Sequence, residues 1–154
     1  MKHDYQGANP THTAYHEAGH AVIALRLGYE IGKVTIKQRY TSLGSAHIRN
    51  RTSPDDIRIS LAGALAEALV NPNDKEIQLG ALYDWRNVRQ STRRFVALGF
   101  INGREKGILV EELLQETRAL VRRDKEAIAQ VAAALLHHET LTGEDIKRIM
   151  EAVR

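Results

Sequence analysis

Apolar residues near the start of the chain recur at helical spacing. Ala14, Ala18, Ala21, Val22 and Leu25 fall on one face of a 3.6-residue period, bracketed by Asn9-Pro10 and Gly28. Asn9 suits an N-cap, Pro10 the first helical position, and Gly28 the left-handed residue that closes a helix. This predicts a helix ending near Gly28, with His16, Glu17 and His20 off the core stripe. The next segment, Ile31-Gly32-Lys33-Val34-Thr35-Ile36, is rich in β-branched residues and too short for a helix, so it predicts a strand. Ser45-Ala46-His47-Ile48-Arg49 is expected to pair with it across a turn containing Gly44. A sheet of two or three strands needs helices packed on it to be stable.

The pattern then returns to helices. Ser53-Pro54-Asp55-Asp56 combines a serine cap, a proline at N1 and acids in the first turn. The helix it starts runs through Ile57, Leu61, Leu65 and Leu69 and stops at Asn71-Pro72-Asn73-Asp74. Gly63 inside it costs about 1 kcal/mol relative to alanine, which points to close helix packing there. A further helix is predicted from Ala81 to Leu98, ended by Gly99, and a long amphipathic helix from Ile108 to His137. Thr142-Gly143-Glu144-Asp145 caps a last short helix. Residues 1–9 read as a flexible tail. With no internal repeat or linker, the expectation is a single domain over 1–154, mainly α with a small β-sheet (α+β).

Composition narrows the chemistry. The chain has 154 residues, 43% hydrophobic and 27% charged, an ordinary soluble balance with enough length for a core. There is no cysteine, which excludes disulfides, thiolate zinc sites and a cysteine nucleophile. No run approaches the roughly 20 apolar residues that span a bilayer; the most apolar stretch, Ala18 to Leu27, is interrupted by His20 and Arg26. The N-terminus lacks the apolar core of a secretory signal, so a cytoplasmic protein without membrane contact is the expectation. Arg86, Arg89 and Arg93 recur beside Trp85 and could form a nucleic-acid face. The net charge of +3 favours a solvated helix face instead. His137-His138 suits the negative end of a helix dipole, and His47 reads as ordinary strand surface.

The most specific feature is His16-Glu17-Ala18-Gly19-His20, an H-E-x-x-H pentapeptide on the first helix. Residues four apart are rotated by only about 40° on an α-helix, so both imidazoles leave one face and can grip one metal ion. Zn²⁺ takes nitrogen ligands of this kind, and Glu17 is placed to accept a proton from the attacking water. A catalytic zinc takes three protein ligands. The H-E-x-x-H-x-x-G-x-x-H solution is excluded, because its glycine and third histidine positions hold Ile23 and Arg26. A carboxylate from a later helix is expected, with Glu67, Glu76 and Asp84 as candidates. Glu67 lies in an apolar helix, where a carboxylate is paired or at a wet edge. Asp84 could equally be a charge at the start of its helix. The residues alone leave Glu67 and Asp84 open.

Taken together, several segments resemble the peptidase domain of the FtsH family of ATP-dependent zinc metalloproteases. Ala14-Tyr15-His16-Glu17-Ala18-Gly19-His20-Ala21 is similar to that family's metal helix. Lys33-Val34-Thr35-Ile36 with Leu43-Gly44 resembles its substrate-side strand and loop. Leu61-Ala62-Gly63 with Ala66-Glu67 resembles its L-A-G-R-x-A-E segment, with Ala64 in place of the arginine. Gly80-Ala81-Leu82-Tyr83-Asp84 resembles its G-A-x-x-D, and Glu139 to Ile146 its C-terminal helical segment. The resemblance implies Asp84 as the third zinc ligand, one zinc per chain, and Glu67 as a residue that holds a ligand imidazole. It also implies an unfolded protein or peptide as substrate, added as an extended strand near Ser42–His47.

Two departures qualify that picture. No G-x-x-x-x-G-K-[ST] occurs in the sequence, and the segment before the Leu61 helix is shorter than the family usually shows. The expectation is therefore a stand-alone, abbreviated endopeptidase without its own ATPase, whose partners would be a second copy or an ATPase in trans. The alternative is a catalytically silent module that binds or regulates a partner. Intact Glu17 argues against it, since a structural zinc needs no general base.

Overall fold

Asn9 caps the first helix, its side chain accepting from the Thr11 amide at 3.0 Å, and Pro10 occupies the first turn. The computed structural model describes residues 9–37, 45–48, 53–70, 77–99, 101–103 and 105–153. Helix α1 spans Pro10–Arg26, followed by strands β1 (Ile31–Thr35) and β2 (Ser45–Ile48). Helices α2 (Ser53–Glu67), α3 (Ile77–Ala97), α4 (Glu105–Arg123) and α5 (Lys125–His138) come next. Strand β3 (Thr140–Thr142) and helix α6 (Gly143–Ala152) complete the order. The fold is mainly α with a small antiparallel sheet. Gly28 and Gly99 take positive φ, 88° and 74°, just beyond the helices they were expected to close.

The main core lies where α1 packs on α2, α5 and β1. Ala14, Ala18, Ala21 and Val22 are buried there as expected, together with Ile128, Val131 and Leu135 of α5. A second cluster, Ile57, Leu61, Val88 and Leu113, joins α2 to α3 and α4. No helix of the described residues is long and apolar enough to cross a membrane. The tail at residues 1–8 lies outside the described residues.

Three elements differ in their bounds from the sequence reading. The helix expected at Ala81 begins at Ile77. Helix α2 ends at Glu67, leaving Leu69 in the following turn with 39% exposure. The helix expected from Ile108 to His137 is two helices that meet at Asp124, whose φ of −97° and ψ of 16° bend the chain. Hydrogen bonds continue across the bend, from the Asp124 amide to the Leu120 carbonyl and from the Ile128 amide to the Asp124 carbonyl. The buried Asp124 carboxylate accepts from Arg26 and from Arg123, each at 2.8 Å, which pins the bend to the end of α1.

The sheet has three strands, within the expected two or three. The sheet order is β2-β1-β3, both pairs antiparallel, with Val34 opposite Ala46 on one side and Leu141 on the other. Glu139 closes α5 in the left-handed conformation, φ 60°, and turns the chain into β3. Thr35 Oγ1 donates to the Glu139 carbonyl at 3.1 Å and meets Thr140 Oγ1 at 2.9 Å, fastening the pairing. Thr142 and Asp145 then form the expected reciprocal cap of α6. Hydrogen bonds from Thr142 hold the Asp145 carboxyl below the usual aspartate range.

Candidate metal centre

The centre is built where α1 and α2 lie side by side in opposite directions, His16 meeting Glu67 and His20 meeting Ile59. Small residues allow the close approach. An ideal Cβ on Gly19 would sit 2.5 Å from the Ala62 carbonyl oxygen, so only glycine fits the crossing. The α1 residues on this side are not solvent-facing as the amphipathic pattern implied. Glu17 is buried at 6% exposure, and Glu67 opposite is buried at 5%.

Each imidazole is held through Nδ1. His20 Nδ1 lies 2.6 Å from the Ile59 carbonyl oxygen, and His16 Nδ1 bonds Glu67 Oε1. A carbonyl or a carboxylate can only accept, so both rings donate from Nδ1 and carry their lone pair on Nε2. The two Nε2 atoms face each other at 2.9 Å, with the rings edge-to-face at 85°. With both Nδ1 atoms engaged, the facing Nε2 atoms are the ring nitrogens placed to hold a cation between them. Ligands at about 2.05 Å on a tetrahedral zinc stand roughly 3.3 Å apart, a separation reached by a few tenths of an ångström of ring movement. The Nδ1 partners are of the kind that orient metal-bound histidines. The donor set therefore fits a zinc ion.

Among the described residues no third histidine or carboxylate completes a three-donor cluster with this pair. The side chain of Asp84, and Glu76 altogether, lie outside the described residues. The backbone position of Asp84 is informative. It is the eighth residue of α3, past the first turn, so the reading of Asp84 as a helix-start charge is overturned by the earlier start of the helix. It stands four and seven residues ahead of Val88 and Ser91, both buried, on a helix that packs against α2. Arg86, Arg89 and Arg93 are exposed, as the solvated-face reading requires; the side chains of Trp85 and His47 lie outside the described residues. His137 and His138 are exposed at the end of α5.

No protein-family profile matches the chain. Individual relatives do. It is 31% identical, over a gapped span of 183 positions that takes in 92% of the chain, to the ATP-dependent zinc metalloprotease FtsH of Thermus thermophilus. The chloroplastic/mitochondrial ATP-dependent zinc metalloprotease FTSH 11 of Arabidopsis thaliana is 30% identical over 90% of the chain. Human ATP-dependent zinc metalloprotease YME1L1 is 31% identical over 93% of it. The chain belongs to the FtsH family, as a peptidase domain. It spans less than a third of the length of these FtsH relatives: 29%, 21% and 23%. The span matched in the Thermus FtsH is longer than the chain itself, so that relative carries insertions within it.

Two parts of the centre escaped the sequence. The Ile59 carbonyl holds His20, but a backbone group has no residue signature. Gly63 was visible only as an oddity within a helix, and its place beneath both imidazoles needed the α1–α2 register.

Proposed function

We propose that the chain is a zinc-dependent endopeptidase acting on unfolded proteins or peptides, with His16, His20 and Asp84 holding one zinc ion and Glu17 as general base. The observation that carries it is the pair of Nε2 atoms turned to each other while both Nδ1 atoms are engaged. Membership of a metalloprotease family supports the same reading, and the family's G-A-x-x-D pattern supports Asp84 as third ligand.

A zinc ion held there supplies Lewis acidity, polarising the scissile carbonyl and lowering the pKa of water toward about 7. Every other part falls to the chain. Glu67 and the Ile59 carbonyl keep His16 and His20 in the tautomer that offers Nε2. Glu17 takes the proton of the attacking water as the new C–O bond forms, and returns it to the amine nitrogen as the C–N bond breaks. Burial of Glu17 keeps bulk water from competing for that proton. Strand β2, at one edge of the sheet, offers backbone groups to an extended substrate. These 154 residues carry no phosphate-binding loop, so any ATP-driven unfolding of substrate falls to a module outside them.

Metal analysis of the purified chain beside a peptide-library cleavage assay tests this reading. One zinc per chain is expected, with cleavage abolished by a chelator and restored by zinc. Zinc-loaded protein that cleaves nothing would favour a silent module for binding or regulation.

A further inference from the structure

The missing side chain at Gly63 lies against the working ends of both imidazoles. A Cβ there would fall 2.5 Å from His20 Nε2, 2.6 Å from His20 Cε1 and 2.8 Å from His16 Cε1. None of these separations is tolerable between non-bonded atoms, so a methyl group at this position and the observed ring pair exclude one another. Gly19 makes an instructive contrast on the facing helix. Its added Cβ would meet the Ala62 carbonyl oxygen at 2.5 Å and Ala66 Cβ at 2.6 Å, which belong to the backbone and to the stub of a side chain. Those atoms cannot move unless a helix moves. The atoms opposed to Gly63 are the far ends of two side chains, which can swing about their own torsions.

We infer that Gly63 is a positioning residue for the imidazole pair: its bare α-carbon seats His16 and His20, at the expense of helix propensity in α2. The inference rests on the metal-centre reading for its zinc readout but not for its ring readout. Gly19 holds the two helices together, whereas Gly63 holds open the space in which the Nε2 atoms converge. A glycine in mid-helix normally weakens the helix, and alanine would relieve that. The same alanine would push the rings away from the Ile59 carbonyl and Glu67 and separate the two Nε2 atoms. Fold and metal affinity should therefore respond differently to one methyl group.

The test uses the full chain as parent, Gly63→Ala and Gly19→Ala. Three readouts are taken: zinc affinity by competition with a chromophoric chelator, thermal unfolding of the metal-free proteins, and imidazole ¹⁵N spectra of the metal-free proteins. Gly63→Ala is expected to keep its helical circular dichroism and to unfold within roughly 4 °C of the metal-free parent. Its zinc affinity should fall by about 100-fold or more, and the Nδ1-protonated signature of His16 and His20 should be lost. Gly19→Ala should lower the unfolding temperature by more than Gly63→Ala does. Zinc affinity of Gly63→Ala within tenfold of the parent, or parent-like imidazole spectra, would overturn the inference. So would a loss of stability in Gly63→Ala equal to that in Gly19→Ala. A parent that binds no zinc, with ring signals that still change in Gly63→Ala, would sink the metal reading and leave the seating role standing.

Discussion

His16 and His20 carry the same side chain but are held differently, one by a buried carboxylate and the other by a backbone carbonyl. In the proposed centre Glu67 would orient His16 through Nδ1 without touching the metal, whereas Asp84 would bind it directly. Removing the two carboxylates should therefore have unequal effects. Glu67→Ala is expected to weaken zinc binding by about 10–100-fold, as loss of such a partner does. Asp84→Ala should lose the metal, since two imidazoles alone hold zinc weakly. Zinc titration of both variants in one buffer checks this, and a metal-free Glu67→Ala beside a loaded Asp84→Ala would reverse the ligand assignment. At this scale the convergence of the two rings was legible in advance. His16 and His20 lie four residues apart in one pentapeptide, so their spacing alone implies that they share a face. The burial of Glu17 was not legible, because α1 is enclosed by α2 and α5 well beyond its apolar stripe.

Secondary structure was readable wherever local signals decide it and unreadable wherever distant contacts do. Asn9-Pro10 and Thr142 with Asp145 start their helices by bonds spanning two or three residues, and both were found in their expected places. Helical hydrogen bonding continues through Asp124, and the charged run Arg122 to Glu126 reads locally as one more solvated turn rather than as a bend. The bend is fixed by Arg26, 98 residues away. Strand β3 is three residues long and exists through pairing with β1, with Thr35 and Thr140 105 residues apart. Asp124→Ala should consequently destabilise the fold by about 1–3 kcal/mol, the range for hydrogen bonds to a charged group, softened because Arg26 and Arg123 can turn to water. Urea unfolding measures it, and a midpoint equal to the parent's would show that the bend needs no anchor.

For the molecule as a whole, the proposed activity would be limited by access to the centre. An extended segment must reach α1 and the edge of the sheet, and a domain stable by about 5–15 kcal/mol rarely offers one. The purified chain should thus degrade a permanently unfolded protein and spare a stable folded one, with ATP changing neither rate. ATP-stimulated loss of the folded substrate would contradict this reading. The most direct test of the central claim is turnover of that unfolded substrate by zinc-loaded parent and Glu17→Gln, compared at equal zinc occupancy. The amide preserves the volume of the side chain but cannot take a proton, and general-base contributions are typically about 10²–10⁴-fold. A loss of that size with fold and metal intact is the expected result. Unchanged turnover by Glu17→Gln would contradict the mechanism.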